Sequence, residues 1–271
     1  MTLQREAHSL QAILQCRDVS MRFGKGPRST LALENIDLEV ARGEFLVLLG
    51  PSGCGKSTLL YLMAGLLLPT TGSVMMGGEI IRGSSPRRGV VFQDFALFPW
   101  LTIADNIRFG LNLSAQRRQG ANNGEHIVQE LVKTMGLTEF QRHKPHQLSG
   151  GMRQRVAIAR TLAPDPEVVL MDEPFGSLDA QTRATLQREV AALAERTGKT
   201  IVFVTHSIEE AALLASRVVV LSSRPGRIQK VLPVPLPRLR WNWKADFPAE
   251  YLQVVSDLEA ALAGSTAGSK A

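Results

Sequence analysis

The chain has 271 residues, 44% of them hydrophobic and 21% charged, the balance of an ordinary soluble globular protein with length for one large domain or two small ones. Its 31 lysines and arginines against 25 aspartates and glutamates leave a formal charge of +6, which is compatible with nucleic acid, anionic lipid or a phosphorylated ligand and selects none of them. Two cysteines, Cys16 and Cys54, exclude a disulfide framework and favour a reducing compartment.

In chain order, MTLQREAHSL at the start has no charged-then-apolar run of the signal-peptide kind. Short-period apolar patterning predicts strands over Ala12 to Phe23 and Leu31 to Val40, followed by a turn at residues 41–44. FLVLLG, residues 45–50, is a continuous apolar run typical of a strand buried on both faces. A Gly-rich loop then opens a helix expected to continue through LLYLMAGLLL. That apolar run, Leu59 to Leu68, is about half of the 20 or so residues a spanning helix needs, so a membrane role requires another protein to hold the chain there. GVVFQ (89–93) predicts another strand. From about Phe95 to Ala163 the pattern turns helical, interrupted by a polar stretch at 114–124. VVLMD (168–172), TIVFVTH (200–206) and VVVLSS (218–223) read as buried strands, with a helix from about Asp179 to Arg196 between the first two.

The expected class is α/β: a phosphate-loop nucleotide-binding core with a mixed or parallel sheet, N-terminal antiparallel strands and an inserted α-helical subdomain. The expected division is 1–94 with 165–235 as core, 95–164 as helical subdomain, and 236–271 as tail and helix. A Pro-rich segment, PVPLPRLRWNW, leads into a last helix with Phe247, Tyr251, Val254, Leu258 and Leu262 on one face. Trp241 and Trp243 in that segment either meet a partner or pack back on the core.

GPSGCGKST, comprising Gly50, Pro51, Ser52, Gly53, Cys54, Gly55, Lys56, Ser57 and Thr58, matches the phosphate loop in full and lies between strand and helix as that motif requires. Successive backbone N–H groups make a nest for phosphate oxygens, and the helix N-terminus adds roughly half a positive charge. Lys56 reaches the β- and γ-phosphates and Ser57 completes a Mg²⁺ shell, so ATP and Mg²⁺ are the expected ligands. Cys54 inside this loop predicts sensitivity to thiol reagents and protection by ATP. VVLMDE brings Asp172 to the carboxyl end of a buried strand, where ligands of open α/β sheets gather. Asp172 is placed for Mg²⁺ and Glu173 for polarising an attacking water.

These two elements fit many nucleotide hydrolases and kinases. LSGGM followed by RQRVAIARTLA is different: Ser149, Gly150 and Gly151 open an amphipathic helix, with Val156, Ala159 and Leu162/Ala163 turned inward, and form either a plain cap or a second anion site without a Cβ to block approach. With this string the sequence resembles the ATP-binding-cassette family from about residue 12 to residue 230. The resemblance implies two ATPs sandwiched between two head-to-tail cassettes, the partner being a second such subunit, identical or closely related. It also implies that Gln93 senses Mg²⁺ and the attacking water, and that His206 contacts the γ-phosphate and Glu173. Ser177, Leu178 and Asp179 would touch the opposite subunit, with an N-cap role open at the same time. Phe23 stands where an aromatic stacks on adenine, or is a core residue.

VVFQ, LFPWLT, LSGGMRQRVAIART, MDEPFGSLDA and THSIEEA together are similar to the ATPase subunits of nitrate, sulfonate and taurine importers, and the SSRPGRI run near residue 222 agrees. That subgroup implies integral membrane permeases as partners, received at Phe95, Phe98 and Trp100 unless these are core. It further implies a solute-binding protein, a peripheral place on the cytoplasmic face of the inner membrane, and no nucleic acid. A soluble cassette protein acting on nucleic acid or ribosomes is the alternative, supported only by the basic surplus. A phosphotransferase built on the same loop would have no use for Ser149-Gly150-Gly151.

Overall fold

The computed structural model describes residues 12–112, 121–237 and 248–267. In chain order its strands and helices are β1 (Ala12–Phe23), β2 (Thr30–Ala41), β3 (Phe45–Leu49), α1 (Lys56–Ala64), β4 (Thr71–Met76), β5 (Glu79–Ile80), β6 (Arg88–Val91), α2 (Ile103–Leu111), α3 (Ala121–Thr134), α4 (Gly150–Leu162), β7 (Val168–Asp172), α5 (Ala180–Thr197), β8 (Thr200–Thr205), α6 (Ile208–Leu214), β9 (Arg217–Leu221), β10 (Ile228–Pro233) and α7 (Pro248–Ala267). They fall into two compact units, 1–84 with 191–271, and 85–190.

In the first unit β2, β1, β4 and β5 form an antiparallel sheet in that order. A second set of strands is mixed. β3 lies parallel to both β8 and β9, with Val47 opposite Phe203 on one side and Val218 on the other, and β10 runs antiparallel to β9. All five residues of β3 are buried, which explains its unbroken apolar sequence: a strand with neighbours on both sides and cover on both faces has no polar face to alternate with. Glu44, at its start, accepts from Arg217 Nε at 2.6 Å and Nη2 at 3.0 Å, and from the Ala41 N–H at 2.7 Å, pinning β9 to β3 at the end away from the loop that follows.

Three expectations are revised here. The helix after the Gly-rich loop stops at Ala64 rather than running through LLYLMAGLLL. Gly65 takes φ 77°, its N–H and that of Leu66 return to carbonyls of the last turn, and a Cβ at Gly65 would sit 2.2 Å from the Gly83 carbonyl oxygen, so Leu66 and Leu68 leave the helix and are exposed. Beyond the last strand read from the sequence, a further strand, β10, pairs with β9 just ahead of the Pro-rich segment, which it enters only at its final residue, Pro233. The buried face of α7 is Tyr251, Val254, Leu258, Ala261 and Ser265, stepping by three and four residues onto α6, β9 and β10; Leu262 is half-buried. Trp241, Trp243 and Phe247 lie outside the described residues.

The second unit holds the parallel pair β6 and β7 and helices α2, α3, α4 and most of α5. Its close approaches are made at glycines: a Cβ on Gly89 would lie 2.5 Å from Thr161 Cγ2, and one on Gly110 would lie 2.2 Å from the Arg160 carbonyl, so β6 and α2 both press against α4. Thr161 closes the first contact by donating to the Val90 carbonyl at 3.0 Å. α4 is therefore buried on most of its circumference, including Gln154, Ala157 and Ile158, where one inward stripe was expected. β6 stops at Val91, so Gln93 stands two residues beyond the strand rather than at its end.

Candidate nucleotide site

The residues from Gly50 to Thr58 lie in the first unit. β3 delivers Gly50 in a buried position where a Cβ would be 2.9 Å from Cys54 Sγ and 3.0 Å from the Leu221 carbonyl, so the chain turns there only without a side chain. Gly53 (φ 74°) and Gly55 (φ 103°) carry the loop through the left-handed region. α1 then begins with Gly55 as N-cap and without a side-chain cap. Its opening N–H groups are thus offered to an acceptor other than its own cap residue, which is the condition for holding an anion. Lys56 is 4% exposed; its Nζ donates to the carbonyls of Gly50 at 2.8 Å and Pro51 at 2.9 Å, folded along the loop. A buried ammonium folded along such a loop, beside a helix start without a side-chain cap, suits a phosphate-bearing ligand.

The setting of Cys54 weighs against the reactive thiol expected of it. It is buried, and burial raises its pKa more than the nearby Lys56 lowers it. Slow alkylation at neutral pH is the expected outcome, checked by iodoacetamide labelling with and without ATP. Cys16, inside β1, is buried too, and burial pushes its thiol up to about 12.

In the second unit, β7 ends on Asp172, 3% exposed, and Glu173 follows half-buried with φ 40°. A left-handed conformation at a non-glycine costs on the order of 1–3 kcal/mol and persists where the surroundings impose it, which is common at reactive positions. Phe175 and Leu178 bury themselves just beyond, and Asp179 caps α5 by accepting from the Thr182 N–H at 3.0 Å. The hydrogen bonds from Thr182 hold the Asp179 carboxyl below the usual carboxylate range.

Ser149 is the N-cap of α4, its Oγ accepting from the Met152 N–H at 3.3 Å, and its side chain is exposed. The two glycines after it also have a packing role within the chain. Gly151 is buried, and a Cβ there would strike Thr182 Cγ2 at 2.3 Å; one on Gly150 would meet Leu178 Cδ2 at 3.3 Å. Their missing side chains let α4 dock on the Ser177–Asp179 turn and the start of α5. The structure thus joins two motifs that the sequence separates by more than twenty residues.

The turn after β6 leaves Gln93 exposed and then bends through two successive left-handed residues, Phe95 (φ 57°) and Ala96 (φ 49°). Arg160, from α4, donates to the carbonyls of Ala96 at 2.6 Å and Phe95 at 3.0 Å and lies over the Phe98 ring at 5.6 Å. Arg153 stacks over Phe95 at 5.4 Å. Asn106, fully buried, accepts from the Phe98 N–H and donates to the Phe98 and Thr102 carbonyls. Phe95 and Phe98 are half-buried by these contacts, Phe98 packs on Phe109 and Trp100, and Trp100 is 67% exposed. Arg153, Arg160 and Asn106 were not singled out from the sequence. The seven-residue spacing of the two arginines, which puts them two turns apart on one helix face, was the available signal.

His206 ends up exposed one residue past β8, and Phe23, at the end of β1, is 42% exposed, which removes it from the core. A glycine-lined loop between a fully buried strand and a helix, with a buried lysine along it and an acidic strand end elsewhere in an α/β chain, defines a phosphate-loop nucleotide-binding protein.

Similarity to known proteins narrows that class. The family model described as ABC transporter matches residues 33–176. An uncharacterised ABC transporter ATP-binding protein of Methanocaldococcus jannaschii is 51% identical over 216 residues, 80% of each chain. A taurine import ATP-binding protein of Jannaschia sp. is 42% identical over 267 residues, covering 94% of this chain and 98% of that one, and its namesake in Ruegeria pomeroyi is 48% identical over 223 residues, 82% of each. A solved dimeric ATP-binding cassette in a post-hydrolysis state, bound to ADP and Pi, superposes with a TM-score of 0.73 at 32% identity, over 83% of this chain and 100% of that one. The chain belongs to the ABC transporter family of ATP-binding proteins, and it is an ATP-hydrolysing enzyme of that family.

Proposed function

We propose that this ATPase is the energising subunit of an importer and that it works as a pair of cassettes, two identical copies being the simplest case. In this reading it drives uptake of a small anion of the nitrate, sulfonate or taurine kind through integral membrane permeases, with a solute-binding protein delivering the anion. The observation that carries this reading is similarity along nearly the whole chain to a taurine import ATP-binding protein. Among the described residues no helix is long and apolar enough to cross a membrane, so the place at the cytoplasmic face of the inner membrane is a peripheral one, held by the permeases. The exposed Trp100, with Phe98 and Phe109 beside it, is the surface offered to them.

At the nucleotide, Gly50 to Thr58 hold the phosphates through backbone N–H groups and Lys56, and Phe23 stacks on adenine. Ser57, Gln93 and Asp172 hold Mg²⁺. Among the described residues no group of three or more His, Cys, Asp or Glu side chains is placed to hold a metal, which suits a cation that takes few protein ligands and completes its shell with phosphate oxygens and water. Bound Mg²⁺ offsets the charge of the β- and γ-phosphates. Glu173 takes the proton of the attacking water, and His206 keeps that carboxylate and the γ-phosphate in register. Ser149, Gly150 and Gly151 of one protomer close on the ATP of its partner, with Ser177, Leu178 and Asp179 on the dimer contact.

Two variants test the reading. Glu173→Gln retains ATP binding and lowers turnover by about 10²–10⁴-fold, as loss of one positioned base does; the variant then accumulates as an ATP-bound dimer in size-exclusion chromatography. Near-normal turnover would remove Glu173 from its role. Ser149→Ala lowers turnover without weakening ATP binding to the isolated chain, and a full-speed monomeric Ser149→Ala enzyme overturns the paired mechanism. Co-purification with its permeases and stimulation of ATPase by taurine, an alkanesulfonate or nitrate decides the solute. Salt-sensitive binding to nucleic acid in place of that stimulation sinks the importer.

A further inference from the structure

The run Ser222–Arg227, between β9 and β10, has no part in the machinery above, yet it is built onto the phosphate loop. Arg224 Nη2 donates to the Gly53 carbonyl at 3.2 Å. Gly226 lies so close that a Cβ would be 2.1 Å from the Cys54 carbonyl oxygen. Two consecutive peptide units of the loop therefore have their oxygens covered by one segment. That segment is itself held from three sides. Gly226 exchanges backbone hydrogen bonds with β2, donating to Ala32 O at 2.9 Å and accepting from Glu34 N at 3.0 Å, while Arg227 pairs with Glu34 at 2.6 Å. Ser222 Oγ accepts from Arg227 N at 3.0 Å and donates to the carbonyls of Ser223 and Pro225. Ser223 donates through N–H and Oγ to the Ser265 carbonyl near the end of α7, at 3.3 and 2.9 Å.

An anion nest works only if its carbonyls face away from the anion. The peptide between Gly53 and Cys54 is the weak point. Gly53 at φ 74° has no Cβ to restrict rotation, and among the described residues the N–H of that peptide makes a long bond, 3.4 Å, to Pro51 O. A guanidinium on its carbonyl fixes from outside what the loop holds loosely from inside. We propose that Arg224 is a positioning residue for nucleotide binding, orienting the Gly53 carbonyl away from the phosphates, and that α7 sets this contact through Ser223. The proposal rests on Gly50–Thr58 being the phosphate loop.

The test is ATP binding and steady-state ATPase on the full chain. Arg224→Ala raises the Kd and KM for ATP by about 3- to 10-fold, the worth of one partly exposed charge-assisted hydrogen bond, with kcat within about twofold of the parent. Arg224→Lys, which keeps a donor, recovers part of the loss. Ser223→Ala raises KM by about twofold. In the double variant the two effects are not additive, because Ser223 acts through Arg224. Unchanged affinity in Arg224→Ala overturns the proposal, as does an equal fall of kcat and melting temperature that Lys fails to rescue. Lys56→Ala separates the two levels. If it abolishes ATP binding while Arg224→Ala leaves affinity intact, only the positioning role is lost. If it binds ATP normally, the phosphate-loop reading fails first.

Discussion

Two turns of this protein leave a strand and bend through the left-handed region, and they achieve it by opposite means. The phosphate loop uses Gly53 and Gly55, for which that conformation carries little steric cost. The segment after β6 uses Phe95 and Ala96, for which it costs roughly 1–3 kcal/mol each, and holds them with side chains from other elements: Arg160 on the two carbonyls and Asn106 on the residues that follow. The first turn carries its shape in its own sequence. The second has its shape imposed by α2 and α4, and so can move only if those helices do.

The contrast breaks most visibly at Gly55. A Cβ there meets Leu33 Cδ2 at 2.7 Å at a φ of 103°, so Gly55→Ala is expected to cost about 3 kcal/mol in loop strain and overpacking. The outcome is loss of ATP binding by more than about tenfold in equilibrium titration, alongside a lower melting temperature; an alanine variant with native affinity would show that the loop does not need that conformation. In the second turn the corresponding blow falls on Asn106. Asn106→Leu leaves the Phe98 N–H and the carbonyls around it without their buried partner and is expected to cost about 2 kcal/mol in urea unfolding. Ala96→Gly sharpens the comparison in the other direction. If Ala96 is strained and held, glycine relieves it and stabilises by up to about 1 kcal/mol, read as a higher urea midpoint; a fall of the midpoint means that the strain is absent. The smallest effect concerns Asp179. Its carboxyl is held below the ordinary value by the hydrogen bonds of the Thr182 cap, so its contribution is full above the unfolded carboxylate pKa of about 4 and disappears as pH falls through the lowered folded value. Asp179→Asn keeps the cap and removes this acid dependence, whereas Asp179→Ala loses the cap at every pH, which melting curves at pH 3 and pH 7 distinguish.

What could be read in advance follows the same division. The strands β1, β2, β3, β7, β8 and β9 and the order of motifs were legible because continuous apolar runs and glycine-rich turns are local statements. The end of α1 was misread because Leu66 to Leu68 look helical; what stops the helix is Gly65 against Gly83, a contact between distant residues. β10 was hidden because it is short, mostly exposed and runs into a proline at its last residue. At the site, Gly50 to Thr58 and Asp172–Glu173 stand where strand ends were expected. The contact of Gly151 with Thr182 was not legible, since a sequence does not say what fills the space a glycine leaves. The run that holds Arg224 was singled out, but its contact was not legible because the partner, Gly53, is 171 residues away.

The burial of both thiols has a practical corollary. Burial pushes the Cys16 thiol up to about 12, far from neutral pH, and Cys54 is shielded by the loop around it. The parent chain is therefore expected to react little with maleimides, and a single cysteine placed at an exposed position away from the nucleotide and dimer contacts, such as Ser256 on α7, can carry a fluorophore or spin label without first stripping the native sulfur from the sequence.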